Sequence, residues 1–418
     1  IIILHHMHSS KNNQQEKIKM YDKKLKYKIL SIFAATVMTF TAITPVWAEE
    51  ENLEADASGE TSSDTSEENA APEIAGLTYE SAMDLSFAEC FDVYYYNDGY
   101  KLLDIHDDAR YLIVPEGKEA PDDLDPEIQI LQQPLDTIYM AATSPMALFD
   151  AIGSVDSIKL SGLDASGWYI QSAADAINNG EMTFAGKYDE PDYELLVGDD
   201  CDLAIESTMI LHAPKVQEMI ETLGIPVFTD RSSYESQPLG RTEWIKLYGA
   251  MMNKEEEART FFDQQAQVIE KLKDFTNTEK TVAFFYINTS GSPVVRNPKD
   301  YISSMIEIAG GRNVFADLQD DSGKTSVAIT MEEFYNTAAD ADYLIYNSSI
   351  DASVKSIDDL LAKESLMADF KAVKEGNVWV TDDSMYQHTD TIGELITDLN
   401  LMLTGGSEED MTFLHKLS

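Results

Sequence analysis

The strongest constraint on this chain is an alternation of strand-like and helix-like runs that occurs twice, once on each side of a long helical stretch. In the first series the strand candidates are 137–141 (TIYMA), 157–160, 203–207 (LAIES) and 225–228. The helices between them are 145–152, 193–196 and 214–223. Ser144 is a good N-cap with Pro145 in the first turn behind it. Val216, Met219, Ile220 and Leu223 recur at helical spacing, and Gly224 stops that helix. From Thr242 to about Phe275, Trp244, Leu247, Tyr248, Met251, Ala258, Phe261, Phe262, Val268, Ile269 and Leu272 keep a helical period, with Asn253 as the position able to break it. The second series runs strand 282–286, helix 301–309, strand 343–346, helix 365–372, strand 378–381 and helix 391–403.

Strands that alternate with helices build parallel sheets covered by helices on their faces. Two such series imply an α/β protein of two Rossmann-like lobes with mainly parallel sheets, joined by a long backbone helix, with a ligand cleft between the lobes. The boundaries are 77–241 for the N-terminal lobe, 242–275 for the linking helix and 276–418 for the C-terminal lobe. One helical crossing suggests a stiff hinge with modest closure. The N-terminal lobe opens with a hairpin, 91–96 and 100–105 around Asn97-Asp98-Gly99, then a strand at 110–115 and a proline-punctuated acidic loop at 121–126. No repeat is evident at solenoid periods.

The first 76 residues read differently. Lys23, Lys24, Lys26 and Lys28 precede an apolar run, 29–43, then Pro45 and the small-residue pattern Val46-Trp47-Ala48. Those three parts make a secretory signal peptide. The apolar run falls short of the roughly 20 residues that span a bilayer comfortably. An uncleaved anchor is the alternative. Met20 is the natural start for this signal, with 1–19 an upstream extension, so 1–48 is assigned to extension and signal. No cysteine follows the apolar run, so a lipid-anchoring signal is not visible. Residues 49–76 are assigned to a disordered acidic linker, because 49–69 are rich in Glu, Asp, Ser and Thr and nearly free of large apolar side chains. An extracytoplasmic location follows, periplasmic or at the cell surface.

The net charge of -45, from 75 acidic and 30 basic residues, argues against nucleic-acid binding and against docking on anionic lipid through a broad basic face. The two cysteines, Cys90 and Cys201, cannot be paired from sequence, and Cys201 suits a small buried apolar position. Of seven histidines, His5, His6 and His8 precede the signal and the rest are scattered, so a histidine-built metal site is not expected. No Gly-x-Gly-x-x-Gly after a strand, phosphate loop or Gly-x-Ser-x-Gly elbow is present, so nothing positive points to an enzyme or a cofactor.

The order of several short motifs resembles that of solute-binding proteins of iron-complex (siderophore or haem) and vitamin B12 ABC importers, whose two lobes are joined by one long helix. The matching pieces are Tyr193-Glu194-Leu195-Leu196 before Asp202-Leu203-Ala204-Ile205, with Cys201 where the family has proline; Leu223-Gly224-Ile225-Pro226-Val227; Ala309-Gly310-Gly311-Arg312-Asn313-Val314; Met331-Glu332 ahead of Ala341-Asp342-Tyr343-Leu344-Ile345; and Ala372-Val373-Lys374-Glu375-Gly376-Asn377-Val378-Trp379. The resemblance covers about 137–403. It implies a monomeric, non-enzymatic receptor that captures a ferric siderophore, or else a corrinoid or haem, and delivers it to an ABC transporter permease. It also implies that Glu194 and Glu332, one on each lobe, dock onto the permease. Ordinary helix-dipole acids are the other reading of the pair. A cell-surface scaffold without a transport role is the alternative of another class.

Ligands of parallel α/β sheets bind outside the carboxyl ends of the strands. That rule selects Thr143, Ser144, Glu206, Ser207, Thr208, Arg231, Ser232 and Tyr234 from the first lobe. From the second it selects Asn288, Asn347, Ser348, Asp383 and Tyr386. Trp168 and Tyr169, in a Gly/Ser-rich loop after a strand, are aromatic-wall candidates, with loop packing as the alternative. Arg231 and Arg296 suit carboxylate or catecholate oxygens, with a surface salt bridge as the alternative for each. Arg241, at the junction with the long helix, is open between the cleft and the hinge.

Overall fold

The computed structural model describes residues 71–271, 277–319 and 324–418. The upstream extension, the signal segment and residues 49–70 of the expected linker lie outside them. The last residues of that linker are part of the fold: Ile74 is buried, and the Tyr96 hydroxyl donates to the Pro72 carbonyl at 2.5 Å. The folded region therefore begins by 71 rather than at 77, because this short apolar stretch covers one face of the first sheet.

Three large sheets and one two-stranded hairpin make up the described residues. The first contains β1 (Tyr79–Ala82), β2 (Phe91–Tyr96), β3 (Lys101–Ile105), β4 (Arg110–Val114) and β5 (Ile128–Gln132) in that order, antiparallel except for the β4–β5 pair. Asp98 (φ 60°) and Gly99 (φ 84°) make the β2–β3 turn, a left-handed backbone that Asp tolerates and Gly adopts freely. Alternation along the strands sends Phe91, Val93, Leu103, Ile105 and Ile113 to one core and Tyr94, Tyr96, Leu102, Leu112 and Val114 to another. Both faces are thus covered, which is why these strands read as nearly continuous apolar runs.

The first lobe holds β6 (Ile138–Met140), β7 (Ile158–Ser161), β8 (Thr183–Phe184), the two-residue hairpin strands β9 (Gly186–Lys187) and β10 (Glu190–Pro191), β11 (Leu203–Ser207) and β12 (Val227–Asp230). Its sheet runs β12-β11-β6-β7-β8 and every pairing is parallel. Helices α1 (Ser144–Ala151), α2 (Gln171–Asn178), α3 (Tyr193–Gly198) and α4 (Pro214–Thr222) lie between its strands in the chain. The expected N-terminal lobe therefore contains two separate five-stranded sheets and a small hairpin.

The stretch read as one linking helix over 242–275 is two, α5 (Pro238–Met252) and α6 (Glu255–Glu270), with 272–276 outside the described residues. Asn253 breaks it in a left-handed conformation at φ 57°. The helices fold back on each other. A Cβ on Gly249 would lie 2.5 Å from that of Ala258, and Lys246 sits 4.5 Å over the Phe262 ring, so only glycine permits this approach. The first sheet is tied to this pair. The buried Glu243 carboxylate accepts the N–H groups of Ser86, Phe87 and Ala88 at 2.7 to 3.1 Å. Lys101 Nζ donates to the Ala250 carbonyl at 2.7 Å, to Asn253 Oδ1 at 2.8 Å and to Glu255.

The second lobe contains β13 (Thr281–Ile287), β14 (Pro293–Arg296), β15 (Arg312–Asn313), β16 (Ser326–Ala328), β17 (Tyr343–Tyr346), β18 (Val378–Thr381) and β19 (Leu414–Lys416). Its sheet runs β16-β14-β13-β17-β18-β19 with β15 also on β13; β13, β15, β17 and β18 are parallel and the others antiparallel. Its helices include α7 (Tyr301–Ile308), α8 (Met331–Ala338), α9 (Ile357–Lys363), α10 (Lys371–Glu375) and α11 (Ile392–Thr404). The helix expected over 365–372 is instead a 3-10 turn (Ser365–Asp369) followed by α10, because Phe370 is extended there with its ring in the lobe's core.

Candidate functional site

In the first lobe the chain moves from β6 outward to β7 and β8, then returns to place β11 and β12 on the other side of β6. The order reverses between β6 and β11, the point beyond whose carboxyl ends ligands of such sheets bind. Gly162 is required beside it: a Cβ there would lie 2.7 Å from Ala141 Cα.

Glu206, next to last in β11, alternates onto the face that carries Ala204 and Tyr139. It is fully buried, and neither carboxylate oxygen has a partner among the described residues. Burial pushes its carboxyl up to about 8, so the neutral acid predominates at pH 7. Ser207 Oγ accepts the Met209 N–H at 3.3 Å and caps the 3-10 turn Thr208–His212. That turn leaves Met209 and Leu211 each 47 % exposed. The Ser144 hydroxyl does not cap α1; it reaches Asp230 at 3.4 Å, within a buried network with Ser232 and the Tyr248 hydroxyl.

The aromatic pair divides. Trp168 is 5 % exposed, lies in the core and donates its indole N–H to Ser161 Oγ at 2.9 Å. Tyr169 is 51 % exposed, so the loop offers Tyr169 rather than Trp168 to solvent. Arg231 stacks on Tyr234 with 5.0 Å to the ring centroid and donates to the Asp107 carbonyl at 2.9 Å, so its guanidinium is shared with the first sheet.

In the second lobe, Asn347 at the end of β17 donates to the Tyr386 hydroxyl at 2.8 Å, while its Oδ1 and the neighbouring Ser348 hydroxyl are buried without partners among the described residues. Thr381 Oγ1 accepts the Ser348 N–H at 3.0 Å. Arg296 is paired rather than free: it donates to both Asp300 oxygens, at 2.8 and 2.6 Å. Asn288 closes the β13–β14 turn by accepting the N–H groups of Ser290 and Ser292, and Asp383 lies 3.5 Å from Lys355. Glu194 and Glu332 are both exposed in the first turns of α3 and α8.

Two features single out the strand ends as the candidate site. Eight large apolar side chains are exposed among the described residues; Tyr79 and Ile130 belong to the first sheet, and the other six follow or end strands of the two lobes. Those six are Tyr169, Phe184, Met209, Leu211, Tyr234 and Ile350. Unpartnered buried polar atoms gather there too, on Glu206, Asn347, Ser348 and the loop 389–391. Native interiors rarely leave such groups unmatched. The lobes also touch at these ends: Gln387 accepts the Tyr169 N–H at 2.9 Å and donates to the Gly167 carbonyl at 2.8 Å. Gln387, Met209, Leu211 and Ile350 were not singled out in the sequence, although the last three directly follow strands that were. Both cysteines are free, and burial raises the Cys201 thiol to about 11. Among the described residues no three His, Cys, Asp or Glu side chains gather closely enough to hold a metal ion.

The chain is similar to several known proteins. An uncharacterized lipoprotein of Methanocaldococcus jannaschii is 27 % identical over 297 residues, 68 % of this chain and 67 % of that protein. A possible iron-binding (periplasmic solute-binding) protein from Staphylococcus epidermidis superposes with a TM-score of 0.51 at 16 % identity, over 64 % of this chain and 97 % of its own. A periplasmic heme binding protein from Pseudomonas aeruginosa gives 0.53 at 16 % identity, over 68 % and 98 %. The family model for the periplasmic binding protein matches residues 138–385. Since that match runs from the first residue of β6 to the loop after β18, across both lobes and the helices between them, the chain belongs to the periplasmic binding protein family, as a non-catalytic solute-binding component of an ABC importer that handles a small ligand.

Proposed function

We propose that this receptor captures an amphipathic metal chelate of the ferric siderophore, haem or corrinoid kind between its lobes and presents it to a permease outside the cytoplasm. The observation that carries the reading is the set of bared apolar side chains at the strand ends, with Met209, Leu211, Tyr169 and Tyr234 on the first lobe and Ile350 on the second. Apolar walls with a few polar anchors suit a ligand with a broad organic face. Asn347, Tyr386, Ser348 and Glu206 supply the anchors, and Ser207 and Thr208 border them. A bare metal ion is disfavoured, because it would call for clustered ligating side chains rather than apolar ones. The heme-binding description of the Pseudomonas protein is in keeping with this class of ligand.

A thermal-shift series of the protein with hemin, cyanocobalamin, a ferric catecholate and divalent metal salts tests the reading. A ligand that binds only the folded state raises the melting temperature with concentration. A rise with one chelate and none with bare metals is expected; a rise with bare metals alone would overturn it. Glu194 and Glu332, exposed one on each lobe, are proposed to orient the receptor on its permease through complementary charge. Replacing both with Ala is expected to spare chelate binding and lower uptake in cells; unchanged uptake would remove that role.

A further inference from the structure

Arg241 stands in the first turn of α5, facing α7 and the loop 384–391. It is 5 % exposed. Its guanidinium lies 4.2 Å from the Tyr301 ring centroid, yet it makes no hydrogen bond and no ion pair with any described residue, and its Nε is buried without a partner. Tyr301 carries a second guanidinium on its ring, that of Arg296 at 5.5 Å. The buried Asp300 carboxylate is engaged through both oxygens by Arg296. The nearby Asp390 carboxylate is 3.8 Å from His388, and its Oδ1 is buried without a hydrogen-bond partner among the described residues. Neither carboxylate makes an ion pair with Arg241 among the described residues.

Beside Arg241 lies a cavity of about 10 Å³, bordered by Tyr301, His388, Thr389, Thr391 and Phe413. A space of that size holds roughly one water-sized occupant. The Thr389 and Thr391 hydroxyls are buried without partners among the described residues. The start of a 15-residue helix adds further positive potential. A buried guanidinium with no ion-pair partner is unfavourable, and stacking on one tyrosine offsets only part of that cost. Guanidinium N–H groups and hydroxyls that can donate make a set suited to an anion.

We propose that the Arg241 cavity is a binding site for one compact anionic group, either a free halide-sized ion or the terminal oxygen of an acid carried by the cleft ligand. The free-ion form stands apart from the chelate reading above, whereas the ligand-borne form rests on it. Bromide is the probe for the first. In crystals of the wild-type protein grown in sodium bromide, an anomalous peak is expected in the cavity. The wild-type melting temperature is also expected to rise with bromide by about 2–4 °C more than that of Arg241→Met at equal ionic strength, a binding-linked shift on the scale of about 1 kcal/mol. Hemin and its dimethyl ester probe the second. If the ligand brings the anion, hemin is expected to bind wild type at least about tenfold more tightly than Arg241→Met, with no such difference for the ester. Were Arg241→Met not to fold, Thr391→Val would replace it in both comparisons. No bromide peak, equal bromide responses and no loss of hemin affinity specific to the acid form would together overturn the proposal. A chelate that fails to bind while bromide occupies the cavity would sink only the ligand reading.

Discussion

The strand ends of the two lobes carry opposite chemistry. On the first lobe, Met209 and Leu211 project into solvent from a 3-10 turn, Tyr169 and Tyr234 join them, and Glu206, fully buried and unpartnered among the described residues, is held neutral. On the second, Asn347, Ser348 and Thr381 are buried polar residues hydrogen-bonded with Tyr386 and Ser349, and beside them Ile350 is that lobe's one exposed large apolar side chain among the described residues. Burial of apolar area supplies affinity without direction, and hydrogen bonds supply direction with little net energy. On the function proposed above, a ligand caught between the lobes is gripped by one and oriented by the other.

The contrast is sharpest between adjacent residues of one loop. Trp168→Ala is expected to cost about 3–5 kcal/mol of stability, as for other buried tryptophans, whereas Tyr169→Ala stays within about 0.5 kcal/mol. Urea unfolding measures both, and equal costs would erase the distinction between core and rim. Next in size is the pH response of Glu206. Its folded-state carboxyl titrates near 8 and its unfolded one near 4.5, so the folded state holds a proton that the unfolded chain releases. Its contribution to stability is fully present below about 4.5 and is lost as pH rises through about 8. Glu206→Gln should therefore flatten the decline in melting temperature between pH 5 and pH 9 and raise stability at the alkaline end by a few kcal/mol. An unchanged pH profile would show the carboxyl to be solvated after all.

Changing Met209 and Leu211 together to Ser is expected to weaken chelate binding by about tenfold or more, as partial burial of two side chains implies, with little change in melting temperature. Asn347→Ala should weaken it less, by a few-fold, through loss of one oriented hydrogen bond. The reverse order, read by titration with the chelate that gives the thermal shift, would invert the roles of the lobes. The smallest effect is expected from Gln387→Ala, which removes the two hydrogen bonds that join the lobes at these ends. It should raise the radius of gyration of the ligand-free protein slightly in small-angle scattering, and no rise would mean that α5, α6 and other contacts alone hold the lobes together.

Much of this molecule was readable from residue order. Leu203–Ser207, Tyr343–Tyr346 and Val378–Thr381 are strands at the positions their apolar runs mark, because a strand buried on both faces needs no partner to declare itself. The parallel lobes and the location of a site beyond their carboxyl ends follow from alternation and chirality, which are local properties. Arrangement in space decided the rest. Nothing in the spacing of Trp168 and Tyr169 says which ring turns inward, since that depends on Ser161 being beneath the indole. Arg231 and Arg296 look equally free in sequence, and only the fold brings the Asp107 carbonyl to one and Asp300 to the other. The first sheet merges into a lobe when read along the chain, because its attachment to α5 runs through Glu243 and Lys101, groups 155 to 157 and 149 to 154 residues from their partners. Arg241 is the limiting case: a sequence can show a cation, but whether any counter-charge reaches it is a property of the packed interior alone.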